Sequence, residues 1–222
     1  MNIEKSIYAT KNVFEESFEK GDFYNKQTQD EQHLKAILEF LPIRSGMRIL
    51  DLGTGSGYLS FAIAQRYSNV SVVGLDIVEK ALEQNRQRAR EDNINNLTFT
   101  TYEGIVFPFE DCEFDMVFSR YALHHFPKIQ TSISEVSRVL KKDGHIKFYT
   151  QTEWTDICGH EGLNLTDSFV SSIRFPKKKD TAFGFIELLE KYDEKVIAGY
   201  DLEIIGNEIY VTEKVNNILF RK

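Results

Sequence analysis

A glycine-rich turn between a short apolar run and a helical pattern sets the first limit on the fold. Residues 48–52 form the run, Gly53, Gly55 and Gly57 follow at alternate positions, and apolar residues then recur at helical spacing over 59–67. A short apolar run bounded by glycines predicts a strand, and three- and four-residue spacing predicts a helix. Glycine lets the main chain approach a ligand, and the start of the following helix offers unpaired N–H groups. The sequence therefore predicts a ligand-binding turn that joins a strand to a helix.

The same alternation of strand and helix continues along the chain. Further strands are predicted at 70–75, 97–102, 114–118 and 145–150, and further helices at 79–91 and 133–140, the second ended by Lys141, Lys142 and Gly144. Because parallel strands need a helical crossover, this order predicts an α/β fold with a doubly wound, mostly parallel sheet. Residues 200–205 and 209–220 are β-rich and flank residues that tolerate positive φ, so they predict an antiparallel C-terminal hairpin.

Length and composition predict a single domain with elaborations. The chain has 222 residues, of which 41% are hydrophobic and 27% charged, and no low-complexity linker divides it. We divide it into an N-terminal lid segment, a ligand-binding core, a substrate-side insertion without visible periodicity, and a C-terminal helix and hairpin: 1–29, 30–150, 151–181 and 182–222. Phe14 and Phe18 are four residues apart, so one helix face in the lid segment would present both rings. The C-terminal helix is predicted at 182–192.

Charge and cysteine content argue against several partners and locations. Lys and Arg number 27 against 34 Asp and Glu, and the net charge of −7 disfavours nucleic acid, although residues 177–179 form a small basic patch. Cys112 and Cys158 make no disulfide framework, and no apolar run is long enough to span a bilayer. We therefore expect a cytoplasmic protein without membrane insertion, and the sequence does not predict its oligomeric state.

Three acidic residues lie at or just after the ends of predicted strands, where a nucleoside-like ligand would need them. Asp51 borders the glycine turn and would attract an ammonium group, while Asp76 can accept hydrogen bonds from both hydroxyls of a ribose. Asp76 could equally cap the following helix, and both roles can coexist. Glu103 is placed to accept a hydrogen bond from an exocyclic amine. A dinucleotide fingerprint would need glycine where the chain has Tyr58, so the cradle for a pyrophosphate is incomplete.

Several motifs occur together in a definite order. They are the turn region 49–57, the pair 75–76, and the stretches 107–115, 119–126 and 138–144. In this order they resemble the class I S-adenosylmethionine-dependent methyltransferases that act on small molecules, similar to the ubiquinone- and menaquinone-biosynthesis group. The resemblance implies a Rossmann-like, seven-stranded sheet of order 3-2-1-4-5-7-6 with an antiparallel last strand. It also implies S-adenosyl-L-methionine as cofactor and methyl transfer to a small-molecule acceptor.

The same resemblance implies which residues bind the cofactor. Those that match its motifs are Asp51, Gly53, Thr54, Gly55, Gly57, Asp76, Ile77, Glu103, Gly104 and Ser119. The turn would line the methionine part, and Ser119 the sulfonium end. Asp76 and Ile77 would contact the ribose and the adenine edge. Glu103 and Gly104 would contact the adenine, although many relatives carry aspartate where this chain has Glu103.

Methyl transfer from a sulfonium needs alignment of the acceptor more than a dedicated catalytic group. Tyr121 and His124 follow the predicted fourth strand and are the candidates for a catalytic base or positioning group. His124 and His125 have no carboxylate at helical spacing, so no metal site is predicted. By resemblance, enzymes that methylate exocyclic base amines carry a proline pair after the fourth strand, whereas residues 119–122 contain none. A small-molecule acceptor is therefore favoured over nucleic acid.

Two other functions remain compatible with the sequence. An NAD(P)-dependent oxidoreductase shares the strand, turn and helix, but Tyr58 and the carboxylate of Asp51 disfavour it. A non-catalytic protein that binds S-adenosylmethionine and acts through a partner would carry the same motifs, because the chemistry needs no signature base.

Overall fold

Strands and helices alternate along most of the chain. The structure is a computed structural model and describes residues 3–19, 31–126, 128–148, 154–178, 201–205 and 208–222. Its helices are α1 (Ile3–Glu19), α2 (Glu31–Phe40), α3 (Tyr58–Arg66), α4 (Glu79–Glu91), α5 (Ile129–Val139) and α6 (Trp154–His160). Its strands are β1 (Arg48–Leu52), β2 (Ser71–Asp76), β3 (Leu97–Thr101), β4 (Phe114–Ser119), β5 (Leu140–Phe148), β6 (Asn164–Lys178), β7 (Asp201–Ile205) and β8 (Glu208–Arg221), and a 3₁₀ turn spans Leu123–His125. None of these described helices is both long and apolar enough to cross a bilayer.

The sheet has the order β3-β2-β1-β4-β5-β8-β6, with β7 paired to β8. β1 to β5 pair in parallel, and β8 runs antiparallel to β5, β6 and β7. The predicted α/β class, parallel sheet and antiparallel hairpin are confirmed. The predicted count of seven strands is wrong, since the described residues contain an 8-stranded sheet. The order reverses at β1, with β2 on one side and β4 on the other, and ligands of doubly wound sheets bind at such a point.

The segment 151–181, where the sequence shows no periodicity, contains α6 and the long strand β6. β6 pairs with β8 from Asn164↔Arg221 to Lys178↔Glu208, with a register shift between Leu165 and Asp167. β6 is the last strand at one side of the sheet, and most of its first residues are exposed. An edge strand exposed on both faces lacks the alternation of apolar and polar residues, and the register shift interrupts what remains. The sequence predicts no helix or strand here, and the structure adds α6 and β6. The substrate-side role of the segment stays a prediction.

The C-terminal hairpin forms as predicted. β7 and β8 pair antiparallel from Asp201↔Thr212 to Ile205↔Glu208, around a connection at residues 206–207. The C-terminal half of β8 also pairs with β5, which joins the hairpin to the parallel sheet. The helix predicted at 182–192 lies outside the described residues.

The junction between α5 and β5 differs from the prediction. α5 ends at Val139, and β5 begins at Leu140, which pairs with Phe114. Lys141, expected to end the helix, instead donates from Nζ to Oδ1 of Asp115 in β4 at 2.9 Å. The helix therefore ends within one residue of its predicted end, whereas pairing with β4 makes β5 begin before its predicted start at 145.

Apolar side chains of the parallel strands alternate between two buried clusters. Ile49 packs with residues of α2, α3 and α4, and Leu50 packs with residues of α5 and α6. Parallel sheets require such cover on both faces. Asp51, two positions beyond Ile49, shares its face and therefore lies beneath α3. The fold in this way places a carboxylate under the first helix of the ligand-binding turn.

Candidate functional site

The glycine turn joins β1 to α3 and needs glycine for its backbone. Gly53, Gly55 and Gly57 have φ of 73°, 52° and 73°, in the left-handed region that other residues rarely adopt. The N–H of Gly53 donates to the carbonyl oxygen of Leu75 at 2.8 Å, which ties the turn to β2. A Cβ atom on Gly53 would lie 2.3 Å from the Cβ atom of Ala122, so the loop after β4 packs directly on the turn. The turn is held between β2 and β4, where the strand order reverses.

Asp76, at the end of β2, binds the glycine turn. Its Oδ2 accepts a hydrogen bond from the N–H of Gly55 at 2.8 Å, and its Oδ1 accepts one from the N–H of Val78 at 3.0 Å. From α4, Asn85 donates through Nδ2 to the carbonyl oxygen of Gly55 at 2.7 Å. Burial raises the pKa of Asp76, and the main-chain N–H groups oppose that shift. The alternative role of Asp76 as the N-cap of α4 is wrong, because Val78 occupies that position.

Asp51 is buried beneath the turn, where two hydroxyl groups bind its carboxylate. Thr54 and Ser60 donate from Oγ1 and Oγ to Oδ2 of Asp51 at 2.8 and 2.6 Å. Only 3% of Asp51 is exposed. Burial is the main reason that the pKa of Asp51 is raised to about 6, and the negative charge of Asp76 acts in the same direction. The two hydroxyls and the positive charge of Arg120 oppose the rise in this pKa.

The residues predicted to contact adenine follow β2 and β3. Gly104 has φ of 86°, and a Cβ atom placed on it would lie 3.1 Å from Cγ2 of Ile7 in α1. Glu103 is exposed, and Ile77 is half-buried against the cluster that contains Leu50. The structure therefore brings Gly104 beneath α1 and leaves Glu103 accessible beside it.

Ser119, Tyr121 and His124 follow one another at the end of β4. Ser119 is buried, and its Oγ donates to the carbonyl oxygen of Leu52 at 2.7 Å, which ties β4 to β1. Tyr121 has φ of 55°, a conformation that is uncommon for an aromatic residue and is found where the surroundings impose it, often at functional sites. The backbone of His124 lies in the 3₁₀ turn, and its side chain lies outside the described part of the structure.

The helix α1 also contacts the 3₁₀ turn. The ring centroids of Phe14 and His125 are 4.9 Å apart in an edge-to-face arrangement. Together with the contact between Ile7 and Gly104, this packing makes α1 bridge the loops after β3 and β4. The side chain of Phe18, the second ring expected on this helix face, is not among those described.

Three site residues were missed by the sequence analysis: Ser60, Asn85 and Arg120. Ser60 and Asn85 lie inside helices, and no local pattern distinguishes them from other polar helix residues. Arg120 lies within the motif 119–126, which was the available signal. Its Cζ lies 5.1 Å from the ring centroid of Tyr58 and 4.7 Å from that of Tyr121.

The carboxyl ends of β1, β2 and β4 thus combine two carboxylates, a guanidinium and a glycine turn. Carboxylates accept hydrogen bonds from hydroxyl groups and attract ammonium groups, and a guanidinium attracts carboxylates. The donor set fits a ligand with a sugar and an amino-acid end. Across the described ranges, no group of three or more His, Cys, Asp or Glu side chains could hold a metal ion.

Comparison by sequence relates the chain to methyltransferases. A family model described as a methyltransferase domain matches residues 43–160, more than half of the chain. YcgJ of Bacillus subtilis, an uncharacterized methyltransferase, is 31% identical over 113 residues, covering 51% of this chain and 44% of YcgJ. The 27-O-demethylrifamycin SV methyltransferase of Amycolatopsis mediterranei is 33% identical over 107 residues, covering 48% of this chain and 39% of that enzyme. The chain therefore spans less than half the length of these two relatives.

Comparison by structure supports the same fold. The crystal structure of YcgJ superposes with a TM-score of 0.73 at 20% identity, covering 87% of this chain and 99% of YcgJ. A second structure is that of phosphoethanolamine N-methyltransferase 2 of Haemonchus contortus in complex with S-adenosyl-L-methionine. It superposes with a TM-score of 0.61 at 19% identity, covering 99% of this chain and 57% of that enzyme. The family match includes all five parallel strands and the turn between β1 and α3. The chain therefore belongs to the class I S-adenosylmethionine-dependent methyltransferases.

Proposed function

We propose that the protein transfers a methyl group from S-adenosylmethionine to a small-molecule acceptor by in-line displacement. The observation that carries the proposal is the link between Asp76 and the glycine turn. The carboxylate ends β2 and binds the N–H of Gly55 at 2.8 Å, at the point where the strand order reverses. A sugar bound there would meet a carboxylate, and the group attached to it would meet the main chain of the turn.

The ribose would bind to Asp76. Its carboxylate accepts hydrogen bonds from the main-chain N–H groups of Gly55, Ile77 and Val78. Because a carboxylate offers about four acceptor positions, it retains capacity for a ribose hydroxyl. The adenine would then lie beside Glu103 and Gly104, and Ile7 of α1 would have to move away from Gly104 to admit it. The exposed carboxylate of Glu103 would accept a hydrogen bond from the exocyclic amine.

The methionine end would bind between Asp51 and Arg120. These residues carry opposite charges, and the charge of Arg120 lowers the pKa of Asp51. An amino acid carries an ammonium and a carboxylate on one carbon, which suits a neighbouring pair of opposite charges. Asp51 would hold the ammonium and Arg120 the carboxylate. This arrangement would orient the methyl-bearing end toward the loop that follows Ser119.

The acceptor would be aligned by the loop after β4. When bound, S-adenosylmethionine supplies an electrophilic methyl group on a sulfonium, which needs no metal or activating acid. Tyr121 and His124 are the candidates to orient the acceptor and to take the proton that it releases. The unusual φ of 55° at Tyr121 supports a special position for this residue.

The helix α1 would close the site. Its Ile7 lies against Gly104, and its Phe14 packs on His125, so it contacts the loops on both sides of the crevice. A closed site excludes water from the displacement and restricts the size of the acceptor. We therefore assign α1 as a lid, which favours small molecules over nucleic acid as acceptors.

Titration calorimetry with S-adenosylhomocysteine tests the cofactor, and methyl transfer from labelled S-adenosylmethionine to a metabolite extract tests the activity. We expect binding, transfer to at least one metabolite, and no thermal stabilisation by NAD. Stabilisation by NAD without binding of S-adenosylhomocysteine would support an oxidoreductase instead. Binding without transfer to any metabolite would support a non-catalytic protein that acts through a partner.

A further inference from the structure

Three oxygen atoms form a triangle beneath the glycine turn. Oδ2 of Asp51 lies 2.8 Å from Oγ1 of Thr54 and 2.6 Å from Oγ of Ser60, and the two hydroxyl oxygens are 3.0 Å apart. We call the side chains of Thr54 and Ser60 the hydroxyl clamp. Ser60 has no exposed surface and Thr54 only 8%, so solvent does not replace either hydroxyl readily.

The clamp responds to the charge on Asp51. With Asp51 ionised, the three contacts share only two hydroxyl hydrogens, and both point to the carboxylate. With Asp51 protonated on Oδ2, a third hydrogen is available, and each oxygen can donate to the next. The triangle can hold either state, but in the ionised state both hydroxyls donate to the carboxylate, and the net effect of these two bonds is to favour that state.

The clamp also orients the carboxylate. Both hydroxyls bind Oδ2, whereas no hydrogen bond to Oδ1 is found within the described part of the chain. Oδ1 is therefore the oxygen that remains to bind a ligand. Two bonds to one oxygen fix the plane of the carboxylate, so the direction of Oδ1 is set before a ligand arrives.

Other charges near Asp51 act from two neighbouring strands. From the end of β2, Asp76 raises the pKa of Asp51, and after β4, Arg120 lowers it. Burial raises it most, and the hydroxyls of Thr54 and Ser60 are the largest opposing contributions. Neither hydroxyl carries a charge of its own, so the clamp can be altered without adding or removing a charge.

We propose that Ser60 is a positioning residue: with Thr54 it keeps Asp51 ionised and directs Oδ1 to the cofactor ammonium, and thereby sets the lowest pH at which the cofactor binds. This inference rests on the proposed function. Ser60 acts through Asp51 and does not itself contact the cofactor or the acceptor.

The expected pH dependence follows from the sign of the shift. An ammonium binds the ionised carboxylate, so affinity falls as the pH drops below the pKa of Asp51, about 6 in the ligand-free protein. The Ser60→Ala variant loses a donor that favours the ionised form, so its affinity begins to fall at a higher pH. Each unit of pKa increase weakens binding about tenfold at pH values below both midpoints, and barely changes it well above them.

Titration calorimetry with S-adenosylhomocysteine from about pH 5 to about pH 8 tests this inference. The unmodified protein is compared with Ser60→Ala and with Ser132→Ala. Ser132 is a matched control, since it is buried in α5 and donates its hydroxyl to the carbonyl oxygen of Lys128 at 3.2 Å. We expect Ser60→Ala to move the midpoint of the affinity profile to higher pH, and Ser132→Ala to leave it unchanged. Thr54→Val, which removes the second hydroxyl with little change in volume, should move it in the same direction.

Each outcome bears on a separate claim. Weakening by the same factor at every pH in Ser60→Ala would mean that Ser60 has only a structural role, and would overturn the inference. An unshifted midpoint in Ser60→Ala without any weakening would overturn it as well, whatever the profile of Thr54→Val. Failure of the unmodified protein to bind S-adenosylhomocysteine at any pH would instead refute the proposed function. If Ser60→Ala does not fold, the Thr54→Val profile alone decides the matter.

Discussion

Carboxylates at the two edges of the parallel sheet lie in opposite settings. At the amino edge, Asp115 accepts hydrogen bonds from the N–H of Arg48 at 2.8 Å and from Nζ of Lys141 at 2.9 Å. At the carboxyl edge, Asp51 and Asp76 are bound by hydroxyls and main-chain N–H groups, and neither forms an ion pair within the described ranges. An aspartate is thus paired with a lysine at one end of the strands, whereas at the other end neutral hydrogen-bond donors surround the two aspartates.

The pKa values of carboxyl groups also differ between the amino and carboxyl ends of the parallel strands. Beside the loop that precedes β4, hydrogen bonds from Arg138 lower the pKa of Glu135, whereas burial raises the pKa of Asp51 and Asp76. A carboxyl group with a lowered pKa stabilises the folded protein at neutral pH, and one with a raised pKa costs stability there. Carboxyl groups whose raised pKa lowers the stability of the folded protein are expected at sites where they bind a ligand. The contacts at the amino ends therefore stabilise the fold, and the raised pKa values at the carboxyl ends support the proposed binding site there.

The largest expected effect is on ligand affinity, when one carboxylate is removed at the carboxyl ends of the strands and one at the amino ends. We expect Asp76→Ala to weaken binding of S-adenosylhomocysteine about 100-fold or more, because hydrogen bonds to a charged group contribute about 1.5 to 3 kcal/mol each. Asp115→Ala should leave the affinity unchanged and lower the free energy of unfolding by about 1 to 2 kcal/mol. Calorimetry measures the affinity, and urea denaturation measures the free energy of unfolding. Equal losses of affinity in both variants would contradict the assignment of binding to the carboxyl ends and of stability to the amino ends.

Replacement of Asp51 tests whether its buried carboxylate lowers the stability of the ligand-free protein. Its pKa is raised from 3.8 to about 6, so the ligand-free protein loses stability as the pH rises through that window. Asp51→Asn does not titrate and should be more stable than the unmodified protein at neutral pH, by at most about 3 kcal/mol. Urea denaturation at several pH values measures this difference, which should shrink toward zero near pH 4. A variant that is less stable at every pH would refute the assignment.

Removal of Arg138 tests the opposite edge. Its guanidinium donates to Glu135 and Asp111 and to the carbonyl oxygens of Phe107 and Phe109. We expect Arg138→Ala to lower the free energy of unfolding by about 2 kcal/mol, since several partly buried acceptors lose their donor. Because the pKa of Glu135 then returns toward its ordinary value, less stability should be lost on acidification below pH 4.5. The affinity for S-adenosylhomocysteine should not change.

The smallest effect is expected at the lid. Phe14→Ala removes the edge-to-face contact with His125, and such contacts contribute about 0.5 to 1.5 kcal/mol. We expect S-adenosylhomocysteine to dissociate a few-fold faster, because α1 then closes the site less tightly. Tyr8→Ala is the matched control, since Tyr8 lies on the same helix and is 67% exposed. Stopped-flow dissociation measures both rates, and a control that accelerates equally would argue against a lid.

Prediction from sequence succeeded where local patterns carry the information. The bounds of β1 and α4 match the structure, and the glycine turn lies where the strand and helix periods meet. No strand was predicted where β6 lies, because an edge strand exposed on both faces shows no alternation of apolar and polar residues. Prediction also missed the start of β5, because the pairing of Leu140 with Phe114 joins residues that are distant in sequence.

The amino-acid order alone determined the parallel core, the glycine turn and the acids beside it, because periodicity, turn chemistry and strand ends depend on neighbours in the chain. Only the tertiary structure decided what surrounds those acids. The clamp on Asp51, the position of Arg120 between two tyrosines and the contact of Phe14 with His125 join different elements of the fold. Such contacts depend on how helices and loops pack over the sheet, and no local pattern records that packing.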